Sequence, residues 1–272
     1  MSVAVAPRRT SWADRAIEQV QLFWSRTVTL TIVELQKIRS DNTELLTRMV
    51  QPVLWLLIFG QIFSRIRGIP TGELSYLAFL TPGILAQSAL FVAIFYGIQI
   101  IWDRDAGILT KVMVSPTPRS AIVLAKAISA GLRGLAPVVV LVPVALLLGV
   151  PITVNPLELI GAALALMLSA GFFACLSMAI AGVAQTRDRL MGIGQLMTMP
   201  LFFASNALYP IDIMPGWLQV ISQINPLTYL VNALRGLLVG APANLWADGA
   251  VLVIAFVVGV AAAAPLLGRL VR

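Results

Sequence analysis

Asp103, Arg104, Asp105, Gly107, Thr110, Lys111 and Val112 stand in one stretch, Trp102 to Lys126, reading WDRDAGILTKVMVSPTPRSAIVLAK. Six charged side chains fall between Asp103 and Lys126. Their types and spacing favour docking over catalysis. Asp103 and Asp105 are two apart, which on a helix turns them to different faces, so they form no acid–base pair. The sequence has no histidine, which removes the commonest general base and the usual metal ligand; no catalytic or metal site is expected. No GxxxxGK[ST] phosphate loop occurs, so the chain is not built to cradle ATP itself. The two acidic residues are expected to open a helix, where negative charge suits the dipole. That short amphipathic helix should run from about Asp105 to Val112 and stop before Pro116 and Pro118. The island reads as a handle, a place where something outside the membrane grips the chain. The plain alternative is a solvated loop between two spans.

The elements on either side make this island unusual. A charge-free run of 29 residues separates Glu73 from Asp103, and one of 24 residues separates Arg133 from Glu158. The chain is 59% hydrophobic and 11% charged, with a mean hydropathy of +0.91. Soluble domains carry roughly 25% charged residues. Apolar runs long enough to cross a bilayer recur along the sequence, so a polytopic membrane protein is expected. No segment is polar and long enough for a soluble domain. The net charge of +7 and pI near 10.3 fit basic residues flanking spans rather than nucleic-acid binding. Cys175 is the single cysteine, read as a small buried hydrophobe.

The predicted architecture is all-α with six transmembrane helices. Residues 1–45 form an N-terminal tail and an amphipathic interfacial helix, with Ser11 and Asp14 as a capping box. Trp12, Ile17, Val20, Phe23 and Trp24 largely share its apolar face. The mixed polarity of this end does not read as a signal peptide. Residues 46–272 form the membrane domain, with spans at about 46–63, 77–101, 122–148, 157–183, 191–208 and 250–267. Pro137 and Pro143 are expected to kink the third span. Lys126 and Arg133, in its first half, should reach the cytosol or face protein. Residues 209–247 are too broken for a lipid-exposed span and read as two short re-entrant helices. Pro215 and Pro226 suit first turns, Asn225 an N-cap, and Gly236 and Gly240 helix ends.

Basic residues set the orientation. With both termini in the cytosol, inner segments hold 16 of them, and outer segments hold only Arg65, Arg67 and Arg235. That asymmetry places the island in the cytosol and residues 209–247 outside. Gln61, Gln87, Tyr96, Gln99, Gln195, Ser205 and Asn206 are polar groups within spans. They line a transport path or bond between helices; the sequence leaves both open. Met191, Met197 and Met199 suit packing or an adaptable wall, and Asp212 is a possible partner for Arg235.

Three stretches carry a family resemblance: QPVLWLLIFGQIF (residues 51–63), DRDAGILTKVMVSPTPRSAIVLAK (103–126) and YPIDIMPGWLQVISQINPLTYLVNALRGLLVG (209–240). Their order resembles the membrane subunits of type-2 ABC exporters, the daunorubicin-resistance-like permeases, from about Glu34 onward. The resemblance implies that the island is a coupling helix docked in a groove of a separate ATPase subunit. Asp103, Arg104, Asp105, Gly107, Thr110, Lys111 and Val112 would make that contact. The working unit would hold two permease chains, as homo- or heterodimer, and two ATPase chains that bind ATP and Mg²⁺; this chain would carry no cofactor. The implied activity is multidrug or antibiotic efflux across the cell membrane, with an amphipathic drug or lipid-like cargo and lipid as surroundings. Export of a lipid-linked glycan is an alternative, as is an ATPase-independent carrier or channel. Mid-span carboxylates, which a proton-coupled carrier would need, are missing from the predicted spans.

Overall fold

The computed structural model describes residues 12–38, 42–64, 72, 74–115, 117–184 and 186–270. Ser11, Pro116, Arg8, Arg9, Arg39, Arg65, Arg67 and Arg272 lie outside the described residues. Among the described residues every regular element is helical. In chain order they are α1 (Trp12–Ile38), α2 (Asn42–Leu54), a π-helical turn (Trp55–Phe59), α3 (Gly60–Ser64), α4 (Tyr76–Ile98), α5 (Ile100–Asp105), α6 (Ile108–Val114), α7 (Arg119–Arg133), α8 (Ala136–Leu147), α9 (Pro156–Ala184), α10 (Arg187–Phe203), a 3₁₀ turn (Ile211–Ile213), α11 (Gly216–Ile224), α12 (Pro226–Val239) and α13 (Leu245–Leu267).

Among the described residues four apolar helical stretches are long enough to cross a membrane: Tyr76–Asp105, Arg119–Leu147, Pro156–Ala184 and Leu245–Leu267, of 30, 29, 29 and 23 residues. About 20 residues suffice for the hydrocarbon core. They match the expected second, third, fourth and last spans. The remaining two expected spans are shorter. The apolar part of the first is Thr47–Phe63, within the continuous helix from α2 to α3. The fifth corresponds to α10, of 17 residues.

Three sequence expectations are corrected here. The predicted span 191–208 ends early, because the chain leaves the helix at Ala204 (φ −87°, ψ 21°). The carbonyls of Leu201 and Ala204 accept hydrogen bonds of 2.7 and 3.3 Å from Asn225 Nδ2 instead of continuing the helix. In the third span the interruption falls at Gly134 and Leu135, just before Pro137 in the first turn of α8. Pro143 lies inside α8 without ending it, so one proline breaks the helix and the other is absorbed. Gly236 does not end α12, which runs on to Gly240, where φ of 68° gives the left-handed cap that glycine adopts without strain.

The core is built around α9, which packs against α4, α7, α12 and α13. In a membrane such contacts rest on close packing rather than on expulsion of water, so small residues matter at the crossings. A Cβ at Gly97 of α4 would lie 2.6 Å from the Ala174 carbonyl oxygen of α9. Helix α4 is buried along almost its whole length. Helix α1 lies against α7. It buries Thr27, Thr31 and Glu34 and leaves Ile17, Val20, Trp24, Val28 and Ile32 exposed. That exposed apolar strip is the face expected of a helix lying in a headgroup layer.

Candidate functional site

The island folds as two short helices. Asp103, Arg104 and Asp105 close α5 instead of opening the next helix, which corrects the expected start at Asp105. The chain turns at Ala106 and Gly107, and α6 begins at Ile108 and ends at Val114. Gly107 has φ of 71°, a left-handed conformation that other L-residues adopt at a cost. No atom lies within 4 Å of where its Cβ would be. Its role inside this chain is therefore the turn. The dipole argument failed because both aspartates have stronger partners elsewhere. On α6, Leu109 is buried, whereas Ile108, Thr110, Lys111 and Val114 are exposed and Val112 is half-buried. Val114 is 83% exposed. Ile108 and Val114 add apolar area to that face which the sequence reading overlooked.

Asp103 belongs to a charged cluster that joins α1, α4, α5 and α7. Lys126 Nζ donates to Asp103 Oδ2 at 2.6 Å and to Glu34 Oε1 at 3.0 Å. Lys37 Nζ donates to Glu34 Oε1 at 3.1 Å and to Asp103 Oδ1 at 3.3 Å. The Tyr96 hydroxyl donates to Glu34 Oε2 at 2.7 Å. Arg133 donates to the Glu34 carbonyl at 3.2 Å, and its guanidinium sits 4.3 Å from the Tyr96 ring centroid. Lys126 and Arg133 thus face protein, one of the two placements expected. Burial alone would push the Glu34 carboxyl up. The Lys126 charge, hydrogen bonds from Tyr96 and Lys126, and the Lys37 charge outweigh it and hold Glu34 at about 2. Burial would lower Lys37, but Glu34 and Asp103 outweigh it and raise it. Two carboxylates facing two ammonium groups make a locked joint, since removing one partner strands a buried charge.

Asp105 turns the other way, as the spacing from Asp103 required. Its Oδ1 accepts from Arg104 Nε at 2.9 Å, and its Oδ2 accepts from Arg187 Nε at 2.6 Å. Arg187, at the start of α10, also lies 5.7 Å from the Trp102 ring centroid.

The polar groups proposed for a path do not share one cavity. Gln87 and Gln195 do, in a cavity of about 310 Å³ between α2, α4 and α10. Thr47, Arg48, Gln51, Phe91 and Phe95 also line it. The rings of Phe91 and Phe95 lie nearly parallel, 8° apart, with centroids at 6.3 Å. Gln87 Oε1 is buried without a partner among the described residues, the condition of a polar group that a ligand or water can satisfy. No carboxylate is among the described lining residues. Of the other candidates, Tyr96 points into the charged cluster. Gln99 forms the junction of α4 and α5, and Gln61 is on the exposed side of α3. Ser205 and Asn206 lie in the turn after α10. Ser205 donates to the Phe202 carbonyl at 2.7 Å, and Asn206 donates to Asn232 Oδ1 at 2.5 Å.

That turn is held by α12. Arg235 is 6% exposed and does not pair with Asp212. Its Nη2 donates to the carbonyls of Asn206 at 2.6 Å and Ala207 at 3.3 Å, and its Nε donates to that of Phe79 at 3.1 Å. The guanidinium lies 3.5 Å from the Phe79 ring centroid. Backbone oxygens left free where α10 unwinds satisfy this cation, so it needs no carboxylate. Gly83 lets the turn come this close: a Cβ there would collide with the Ala207 backbone.

Comparison with known proteins identifies the family. The family model described as ABC-2 type transporter matches residues 25–239. A protein named as a ycf38 transport permease, from Cyanophora paradoxa, is 31% identical over 193 residues, covering 70% of this chain and 66% of that protein. The chain therefore spans just under two thirds of the length of that relative. A daunorubicin resistance ABC transporter permease protein, DrrB1 of Streptomyces coeruleorubidus, is 29% identical over 229 residues, covering 84% of this chain and 80% of the relative. The inner membrane transport permease YadH of Escherichia coli K12 is 26% identical over 196 residues, covering 69% and 73%. With its apolar spans, its polar island and a family match over most of its length, this chain is a multi-pass membrane protein that belongs to the ABC-2 type transporter family.

Proposed function

We propose that this chain is the permease subunit of an ATP-driven exporter, with six spans and both termini in the cytosol. A separate ATPase subunit grips the outward face of α6. The observation that carries this reading is the island itself. An exposed face with Ile108, Thr110, Lys111 and Val114 sits on a helix that cannot enter hydrocarbon, and Asp103 ties the segment to α1 and α7. Movement imposed on α6 would therefore reach the spans instead of being lost in a loose loop. Two permease chains and two ATPases make the working unit, and the ATPases bind ATP and Mg²⁺. The 16 basic residues of the inner segments against three of the outer ones support this orientation.

The cavity between α2, α4 and α10 supports an amphipathic drug or lipid-like cargo. Parallel aromatic rings offer a flat apolar body a surface, and Gln87 offers an acceptor to its polar group. Drug resistance enters through relatives named for daunorubicin and doxorubicin. The test is reconstitution of the chain with its ATPase in liposomes, using daunorubicin as probe. ATP-dependent movement of the probe is expected with both subunits and none with the permease alone. Transport that persists without the ATPase would make the chain a carrier or channel.

A further inference from the structure

Helix α10 is lightly packed along its length and anchored at both ends. It rests on its neighbours through one narrow stripe, Leu190, Gly194, Thr198 and Phe202. Met191, Leu196, Met199 and Phe203 on its other sides are exposed. Its far end is fixed by Asn225, which takes the carbonyls of Leu201 and Ala204. Its near end is fixed by Arg187. A cation in a helix's first turn opposes the dipole, so Arg187 gains nothing from its own helix. Asp105 and the Trp102 ring, both on the island side, supply its partners. Between these two anchors α10 carries Gln195 into the cavity.

We propose that the Asp105–Arg187 pair is the joint through which the island moves α10, and with it the wall of the cavity that carries Gln195. The inference rests on the exporter reading and deepens it. It also reassigns Asp105 from a contact with the ATPase to a positioning residue, because both of its oxygens are engaged within the chain. Asp103 and Asp105 then do separate work. The first is locked among buried groups and keeps α1 and α7 moving with the island. The second makes an exposed contact that can re-form in a new position as α10 shifts. Exposed ion pairs add little to stability, so altering this one should change motion rather than folding.

The test follows α10 directly and needs no cargo. In the assembled complex with its ATPase in nanodiscs, Cys175→Ala removes the native thiol and Leu196→Cys carries a bimane fluorophore on the exposed side of α10. Emission is recorded before and after ATP with vanadate. The parent protein is expected to show a spectral shift, Arg187→Asp to lose it, and the exchange Asp105→Arg with Arg187→Asp to recover it. Arg187→Gln, which removes the pair without repulsion, replaces the reversal if that variant fails to insert. An Arg187 variant that shifts like the parent overturns the joint, as does an exchange that stays silent. A parent with no response to ATP overturns the joint, and the exporter reading falls with it only if the same complex also fails to move daunorubicin.

Discussion

Two buried cationic sites sit at opposite ends of this bundle and are satisfied by opposite means. At the island end, Lys126 and Lys37 face Glu34 and Asp103. At the other end, Arg235 is surrounded by the carbonyls of Phe79, Asn206 and Ala207. Side-chain carboxylates titrate, and here they tie one helix to another. Backbone carbonyls move only if the chain moves. The island end is thus suited to transmitting displacement and the Arg235 end to anchoring it.

The largest effect should come from Glu34→Ala, which leaves Lys126 buried with half its counter-charge. Breaking a buried pair costs about 3–5 kcal/mol. Loss of α1 docking, seen as rapid hydrogen exchange over α1, is the expected result; protection like the parent's would show that the cluster is not a lock. Arg235→Leu should follow, at about 1–3 kcal/mol for the Asn206 carbonyl that loses its 2.6 Å donor. The contrast sharpens with conservative changes. Lys37→Arg should be tolerated, whereas Arg235→Lys should destabilise nearly as much as the leucine, because an ammonium cannot reproduce the guanidinium fork. Thermal unfolding in detergent measures both, and equal tolerance at the two sites would erase the distinction.

Acid should separate the two ends as well. Glu34 is held at about 2, below its ordinary 4.5. Its contribution is complete above the ordinary value and is lost as pH falls towards 2, an effect on the order of 3 kcal/mol. Trp24 fluorescence is therefore expected to report a docked α1 at pH 5 and an undocked one near about pH 2, given that linkage. The Arg235 contacts, made to groups that do not titrate, should persist through the same window, as hydrogen exchange of α12 can show. The smallest effect is expected from Gly107→Ala, which forces an L-residue to φ of 71° at about 1–2 kcal/mol. It should loosen α6 alone, measured as local exchange, without changing either buried site.

The sequence made the local features readable. Long apolar runs pointed to four helices long enough to cross a membrane, and the spacing of Asp103 and Asp105 separated their directions. Asn225 before Pro226, and Gly240 fourteen residues on, bounded α12 because caps act within a turn of themselves. What it hid was distant. Glu34 and Lys126 are 92 residues apart, and Asp105 and Arg187 are 82 apart; which charges meet depends on which helices pack. The helix expected to begin at Asp105 fails for that reason: a rule about one helix end lost to partners from three others. The Arg235 site was hidden more thoroughly, since every residue has a carbonyl and none advertises itself as the acceptor. Of the groups proposed for a path, Gln87 and Gln195 share a cavity while Tyr96 turns into the charged cluster, because polarity within a span does not say which way a side chain faces.

The π-helical turn at Trp55–Phe59 has a consequence for the first helix as a whole. One surplus residue in a helical turn advances the angular phase of everything after it by about 100°. Thr47, Gln51 and Pro52, on one side of the turn, address the cavity, while Phe63, beyond it, meets Tyr76 of α4 with ring centroids at 5.6 Å. A single rod therefore presents two unrelated azimuths. Deleting one residue from this turn would rotate its two halves into a common register, and the helix would lose one of its two audiences.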